Sequence, residues 1–311
     1  MKVSIITACF NSKNTIKATL DSVLSQNYHS IEHIIMDNIS DDGTIEIINS
    51  YKIPYEKKGF DLIINSKKDN GIYDAMNEGL KLCKGDVVGF LNSDDFFASN
   101  NVVELIVWGF IKPSNNVINI IYADVEYINN DEEVIRKVEG KIINKKSFKY
   151  GFHPAHPSFY ARKSIYEKYG YFNTKYTISA DYEIMLRFLY KYRLNSLYIH
   201  DCFVKMRLGG VSNANIKNIF LANMQCMQSW RDNNLSKFPI FIIFKILNKI
   251  MQTNLIKFFN LLLRGGQEEN EISLSYFKII LNIYSIFYIL YYYKTYYKSL
   301  FYKIQNHGLH P

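Results

Sequence analysis

The chain has 311 residues and a mass of 36.5 kDa, which is room for one large domain or for one domain with an appendage. Apolar residues make up 48% and charged residues 21%, with six Pro and fifteen Gly, so disordered, collagen-like and low-complexity classes are excluded. The formal net charge is +8, and six of those charges fall in residues 236–311, so the basic character belongs to the C-terminal stretch.

The first 125 residues alternate between strand and helix patterns. Val3–Thr7 is a β-branched run suited to a buried parallel strand. Ile16, Leu20, Val23 and Leu24 then mark one helix face, with Asn11 or Ser12 as its cap. His33–Met36 reads as a second strand, Thr44–Tyr51 as a short helix, and Asp61–Asn65 as a third strand. Ile72, Met76 and Leu80 mark the next helix face, followed by strands at Asp86–Leu91 and Val117–Tyr122. This spacing predicts parallel βαβ units with right-handed crossovers. Such sheets bind ligands at the carboxyl ends of their strands.

The segments that follow those strands are polar. Thr7-Ala8-Cys9-Phe10-Asn11 has no glycine, so the Gly-x-Gly-x-x-Gly dinucleotide fingerprint is absent. Asp41 and Asp42, in Asp37-Asn38-Ile39-Ser40-Asp41-Asp42-Gly43-Thr44, read equally as a turn that caps the next helix or as ligands. The fourth strand runs into Asn92-Ser93-Asp94-Asp95. Two adjacent carboxylates repel each other unless a cation or a donor array is present, and carboxylates with an Asn carbonyl suit Mg²⁺ or Mn²⁺. The four cysteines, Cys9, Cys83, Cys202 and Cys226, form no Cys-x-x-Cys pair, so neither a disulfide framework nor a zinc site is expected. Their spacing, and an N-terminus without a signal-peptide pattern, predict the reducing cytoplasm.

The segments VSIITACFN, IIMDNISDDGT, DNGIYDAMNEGL and GDVVGFLNSDD occur in that order, followed by HPAHPSFYARKSIYEKYGYF and ISADYEIMLRF. Together they resemble inverting family 2 glycosyltransferases of GT-A fold, in the subgroup that serves bacterial surface-polysaccharide assembly. The resemblance spans about Lys2 to Ser212 and implies an α/β catalytic domain over residues 1–235, with a mainly parallel sheet flanked by helices. It places Thr7, Ala8 and Asn11 at the base and ribose of a nucleotide donor, Asp37 at the base, and Asp69 in the donor pocket. Asn92, Ser93 and Asp94 stand at the metal-binding DxD motif, with Asp94 as direct ligand to Mn²⁺ or Mg²⁺ and Asp95 close by. Asp181 matches the catalytic base, and His156 a histidine on the acceptor side. Gly209, Gly210 and Ser212 resemble a loop that closes over the donor. Asn92 departs from the Asp that many relatives carry, and Asn38 and Ile39 replace small residues.

The residue types suit this chemistry on independent grounds. A cation at Asp94 offsets charge on a departing diphosphate, and a carboxylate across the sugar takes the proton of an acceptor hydroxyl. Ile184, Leu186, Phe188 and Leu189 after Asp181 predict a helix that buries against the sheet. Plainer readings stand beside these. Asp181 is also a helix cap, His153 and His156 are also turn histidines beside prolines, and Asp74 and Glu78 form a solvated helix face. Asp124 reads as structural, and Arg187 pairs with a core acid or meets the diphosphate.

In residues 236–311, Lys245, Asn248, Lys249, Gln252, Thr253, Lys257 and Asn260 form one basic stripe along an otherwise apolar helix. Tyr276–Ile304 carries nine Tyr, and its longest uncharged run, Ile279–Tyr293, is shorter than a membrane span. This predicts a basic amphipathic helical tail lying on anionic lipid, with packing on the catalytic domain or on a second subunit in a homo-oligomer as the alternative. Nucleic acid is not expected, because the charges are diluted by aliphatic bulk. The combined expectation is a peripheral glycosyltransferase of hexosyltransferase type on the inner face of the cytoplasmic membrane. It would take a nucleoside-diphosphate sugar, UDP-linked first, to a lipid-linked or glycan acceptor. A nucleotidyltransferase would leave Asp181 idle, and a non-catalytic sugar-nucleotide-binding or membrane-scaffold protein is the reading outside enzymes.

Overall fold

Buried β-branched runs need hydrogen-bond partners on both edges, and the first run finds them. In the computed structural model, which describes residues 1–114, 116–144, 146–207 and 216–235, it forms β1 (Val3–Cys9), every residue of which except Ala8 is buried. Next in chain order are α1 (Ile16–Leu24), β2 (Ile31–Asp37), α2 (Thr44–Ser50), α3 (Lys52–Lys58), β3 (Asp61–Ser66), α4 (Ile72–Leu82) and β4 (Val87–Phe90). β1 pairs in parallel with β2 and with β4, and β2 in parallel with β3. The expected βαβ start is therefore present, and the ends of β1, β2 and β4 come to one edge.

Two helices differ from expectation in detail. On α1 the buried face is Ile16, Thr19, Leu20 and Val23, with Leu24 only half-buried. On α4, Ile72 is 44% exposed and Tyr73 takes its place on the buried face with Met76 and Leu80. The Tyr73 hydroxyl, bonded to the Ile178 carbonyl at 2.6 Å, favours that choice.

Beyond β4 the sheet becomes mixed. The remaining elements are β5 (Phe96–Phe97), α5 (Val102–Ile111), β6 (Ile120–Ile128), β7 (Val134–Val138), β8 (Tyr160–Arg162), α6 (Lys163–Tyr169), α7 (Ala180–Met185), β9 (Ser196–Arg207) and α8 (Ile216–Asp232). The strand order is β3-β2-β1-β4-β8-β6-β9-β5, with β7 on β6. The strand expected at Val117–Tyr122 begins at Ile120 and runs on to Ile128, and it is not the neighbour of β4. β8 lies between them, antiparallel to both. Gly89 of β4 makes room for this: a Cβ there would come 2.0 Å from the fully buried ring of Tyr160 on β8.

The chain divides into two compact units, Met1–Phe148 with His153–Lys237, and Lys149–Phe152 with Phe238–Pro311. All the elements above belong to the first. The expected amphipathic tail, residues 236–311, lies outside the described residues. Among the described residues no helix is long and apolar enough to cross a membrane.

A polar line crosses the core under the strand ends. Thr7 Oγ1 donates to the Leu91 carbonyl at 2.7 Å and lies 2.9 Å from His33 Nε2. The other ring nitrogen, Nδ1, lies 2.8 Å from the Tyr55 hydroxyl, which donates to the Leu20 carbonyl at 3.1 Å. Burial lowers the His33 pKa to about 3. Between that value and the ordinary 6.5 the unfolded chain binds a proton that the folded chain refuses, so stability falls as pH falls through this window. His33→Gln is expected to flatten the acid-side loss of unfolding free energy by up to about 1.4 kcal/mol per pH unit. Urea titrations of both proteins at several acidic pH values test this; parallel curves refute it.

Candidate active site

Four loops leave the sheet at the ends of β1, β2, β3 and β4, and side chains tie them together. Asn11, held at φ +49°, exchanges two bonds with Asp41: Nδ2 donates to Oδ1 at 3.0 Å, and the Asp41 amide donates back to Oδ1 at 3.1 Å. The Asn11 amide also donates to Ser40 Oγ at 2.9 Å. Ser12 Oγ meets Ser93 Oγ at 2.8 Å, which joins the first loop to the turn after β4. Asp42 accepts from the Lys13 amide at 3.0 Å and from the Thr44 amide at 2.9 Å, so it serves the turn before α2. Asp69 lies in the third loop. Its amide donates to Asn38 Oδ1 at 3.0 Å, and its carboxylate accepts the Gly71 amide at 2.8 Å. Gly71 stands at φ +114°, a conformation that side-chain-bearing residues rarely adopt.

Two residues that the sequence puts at the donor face inward. The Thr7 hydroxyl is spent on Leu91 and His33, as described above. Asp37 is buried; its Oδ1 accepts from Ser40 Oγ and its Oδ2 from Ser66 Oγ, each at 2.5 Å. Both residues shape the floor of the rim. Ala8 is half-buried beside them. The outer surface belongs to Phe10, which carried no expectation, and to Ile39, noted only as replacing a small residue. Phe10 and Ile39 are each 58% exposed, on neighbouring loops that are linked by the Asn38 amide to the Cys9 carbonyl at 3.0 Å. Ile39 sits at φ +55°, strained for a β-branched residue by about 1–3 kcal/mol. Cys9 is inert: burial and the neighbouring Asp37 push its thiol far up.

The acidic turn is tight. The Asp95 amide donates to the Asn92 carbonyl at 3.1 Å, and Asn92 Nδ2 donates to Asp95 Oδ2 at 3.0 Å. Asp95 is buried and Asp94 half-buried. Burial, and for Asp95 the charge of Asp94, push both carboxyls above the usual range; the positive charge of Arg207, the last residue of β9, opposes this. The Arg207 guanidinium itself is only loosely engaged, 3.5 Å from Glu132 and 5.4 Å over the Phe96 ring. Among the described residues no group of three or more His, Cys, Asp or Glu converges to enclose a metal. Two carboxylates without full compensation suit an ion that takes its other ligands from substrate phosphates and water.

Asp181 stands in the first turn of α7. Its Oδ1 accepts from the Tyr182 amide at 2.8 Å and lies 3.2 Å from the Tyr73 hydroxyl, while its Oδ2 bonds no described residue. His156, in a 3-10 turn (His156–Ser158), stacks on Phe90 at 5.7 Å and meets the edge of Phe172 at 6.1 Å. Its buried Nε2 has no partner among the described residues. Burial lowers its pKa, against the pull of Asp181. One link joins this cluster to the acidic turn and another to the third loop. Phe90 ends β4 two residues before Asn92, and α4 carries Tyr73 just beyond the Asp69 loop. Gly209, Gly210 and Ser212 lie outside the described residues.

Residues 4–170 match the sequence profile described as glycosyl transferase family 2. The chain belongs to that family. It is a glycosyltransferase, and curated members of the family align over most of its length. One is a "PGL/p-HBAD biosynthesis glycosyltransferase" of Mycobacterium tuberculosis, 26% identical over 71% of this chain and 83% of the relative. Another, from Escherichia coli, is "UDP-Glc:alpha-D-GlcNAc-diphosphoundecaprenol beta-1,3-glucosyltransferase WfaP", 28% identical over 70% and 82%. Among solved structures, S. aureus TarS 1-349 in complex with UDP-GlcNAc superposes with a TM-score of 0.56 at 16% identity, over 83% of this chain and 77% of that one. The chain spans 39% of a longer TarS chain. The mannosyltransferase PcManGT from Pyrobaculum calidifontis, in complex with GDP-Man and Mn²⁺, gives 0.56 at 12% identity, over 92% and 85%. These likenesses establish the GT-A fold.

In this family member, the two roles open to Arg187 in the sequence resolve into the structural one. Its Nε and Nη2 each donate to the buried Glu183 carboxylate at 3.0 Å. The remaining donors reach the carbonyls of Tyr169, Gly170 (2.9 Å) and Tyr171 (2.7 Å). Asn233 at the end of α8 adds a bond to Glu183 at 2.8 Å. The pair thus holds the segment that delivers Phe172 to Tyr73, Phe90 and His156. Asp124 is structural as expected, accepting from the Gly140 amide at 2.6 Å and from the Tyr198 hydroxyl at 2.7 Å. Ile184, Leu186, Phe188 and Leu189 are all buried, also as expected. Arg187→Leu leaves Glu183 buried without its cation and is expected to cost about 3–5 kcal/mol. A thermal melt shows this directly; an unchanged midpoint would refute the account.

Proposed function

We propose that this glycosyltransferase carries out a single displacement with inversion. It would move a sugar from a nucleoside-diphosphate sugar, UDP-linked first, to a lipid-linked or glycan acceptor in polysaccharide assembly. The observation that carries the reading is the state of Asp181. One carboxylate oxygen is anchored, and the other bonds no described residue, beside the start of α4, the helix that follows the Asp69 loop. An open, oriented carboxylate is what a general base needs. Among the residues described here no second carboxylate partners it, whereas a glycosidase needs a pair flanking the bond. Support for the donor and acceptor classes comes from the relatives: WfaP is named for UDP-Glc and a diphosphoundecaprenol-linked acceptor, and the TarS structure holds UDP-GlcNAc.

Asp94, with Asp95 behind it, would hold Mn²⁺ or Mg²⁺, which supplies Lewis-acid stabilisation of the departing diphosphate. Asn11, Asp69, Asn92 and Ser93 would line the donor, with Phe10 offering a ring face to the base. Thr7 and Asp37 would act from beneath by fixing these loops. The catalytic domain would occupy residues 1–235. The basic amphipathic tail, 236–311, would bring it to the anionic inner face of the cytoplasmic membrane, where a lipid-linked acceptor resides.

Calorimetric titration with UDP, GDP and dTDP, in Mn²⁺ and then in chelator, is expected to give metal-dependent binding of one nucleotide. Asp94→Ala should lose that binding. If no nucleotide binds the folded wild type, the donor assignment falls. Asp181→Asn should keep donor binding and lose transfer by about 10²–10⁴-fold. Transfer at the wild-type rate would remove Asp181 as base.

A further inference from the structure

Tyr73 stands in the first turn of α4, two residues beyond Gly71 and the donor-side loop. Its ring is buried and stacks on Phe172 at 5.6 Å. Asn77, one turn further along the same helix, fixes Phe172 through its backbone. The Asn77 amide donates to the Phe172 carbonyl and accepts the Phe172 N–H, both at 2.9 Å. The Tyr73 hydroxyl has one proton and two acceptors within reach, the Ile178 carbonyl at 2.6 Å and Asp181 Oδ1 at 3.2 Å. Burial, with the charge of Asp181, pushes the phenol far above its ordinary value, so it remains a donor.

Both bonds of Asp181 fall on the same oxygen. Oδ1 takes the Tyr182 amide and faces Tyr73, while Oδ2 bonds no described residue. Among the described residues, the titratable groups that face Asp181 are Tyr73 from α4 and His156 from the 3-10 turn; Glu183 on its own helix is engaged by Arg187 and Asn233. A carboxylate free to rotate would present either oxygen. The Tyr182 amide and the Tyr73 hydroxyl, which shares its one proton between Asp181 and the Ile178 carbonyl, both face one oxygen and favour a single rotamer.

We propose that Tyr73 is a positioning residue for sugar transfer: its hydroxyl holds Oδ1 of Asp181 and so presents Oδ2 to the acceptor. The inference rests on Asp181 being the base. In the step itself, the acceptor O–H proton passes to Oδ2. The acceptor oxygen forms the new bond to the anomeric carbon, and the diphosphate leaves with the electron pair of the broken bond. The Tyr73 proton stays on Tyr73 throughout. α4 begins just after the loop that carries Asp69, so the helix that supports the base also follows directly from a donor-side loop.

The test measures UDP release from UDP-Glc and UDP-GlcNAc, and GDP release from GDP-Man. It is run with Mn²⁺, with and without α-D-GlcNAc-diphosphoundecaprenol, over the pH range in which the protein stays folded. Tyr73→Phe keeps the ring and its stack. It is expected to lower kcat about tenfold, to change the donor KM less than twofold, and to move the acid limb of the kcat profile to higher pH, because a donor to the charged carboxylate is gone. Replacing Tyr73 with 2,3-difluorotyrosine strengthens the donor and should move that limb to lower pH. This arm decides the matter if Tyr73→Phe fails to fold. A folded Tyr73→Phe protein with an unchanged acid limb, or with only a raised KM, overturns the positioning role while Asp181→Asn remains inactive. Turnover by Asp181→Asn, or none by the wild type with any donor, instead overturns the base assignment beneath it.

Discussion

The site depends on one buried hydroxyl. Thr7 Oγ1, from its own place on β1, donates to the carbonyl of Leu91 at the end of β4 and bonds Nε2 of His33 on β2. Three parallel strands are therefore locked together at the level where the chain leaves each of them. A buried polar group of this kind costs free energy if it loses either partner, so the lock tolerates little sliding between strands. Asn11, Asp37 and Asn92 all lie within a few residues of it, and their relative positions follow from it. The hydrogen bonds among the rim loops refine an arrangement that this bond has already set.

On that base the structure separates two electrostatic environments. At the end of β4, two adjacent carboxylates are gathered with little compensation, and both resist ionisation. At the start of α7, a carboxylate keeps one bonded and one open oxygen. The former suits the charge of a substrate bearing phosphate and cation; the latter suits the removal of a proton. The aromatic cluster of Tyr73, Phe90, His156 and Phe172 packs the end of β4 against α4, whose Tyr73 meets Asp181. The buried Arg187–Glu183 pair holds the segment that carries Phe172 into this cluster.

The first half of the fold was legible because its signals are local. Runs such as Val3–Thr7 and His33–Met36 lie in parallel strands and are buried, and the helix faces of α1 and α4 show in the spacing of apolar residues. The insertion of β8 beside β4 was not legible, since three residues carry no periodicity and their pairing partner is more than 70 residues away. The two-residue β5 escaped for the same reason. Within the candidate site, Asp181 was singled out by the family resemblance, and the adjacent carboxylates of the acidic turn could be read from residue type and position. Which carboxylate of the turn is buried could not, because Asp94 and Asp95 differ only in the side to which the chain turns them. Thr7 and Asp37 teach the same point: a polar residue at a strand end faces inward when buried hydroxyls or an imidazole wait for it. Arg187 could not be placed without knowing that three backbone carbonyls converge on it.

The contact between Gly89 and the Tyr160 ring also bears on how this sheet can change over evolutionary time. β8 joins β4 across a position where even a methyl group has no room. Positions 89 and 160 therefore form a coupled pair: a larger residue at 89 is admissible only after the ring at 160 has shrunk. Intermediates that make the first change alone carry an overpacked core. Drift at these two positions should accordingly run in one order, with the small residue on β4 the last to be given up.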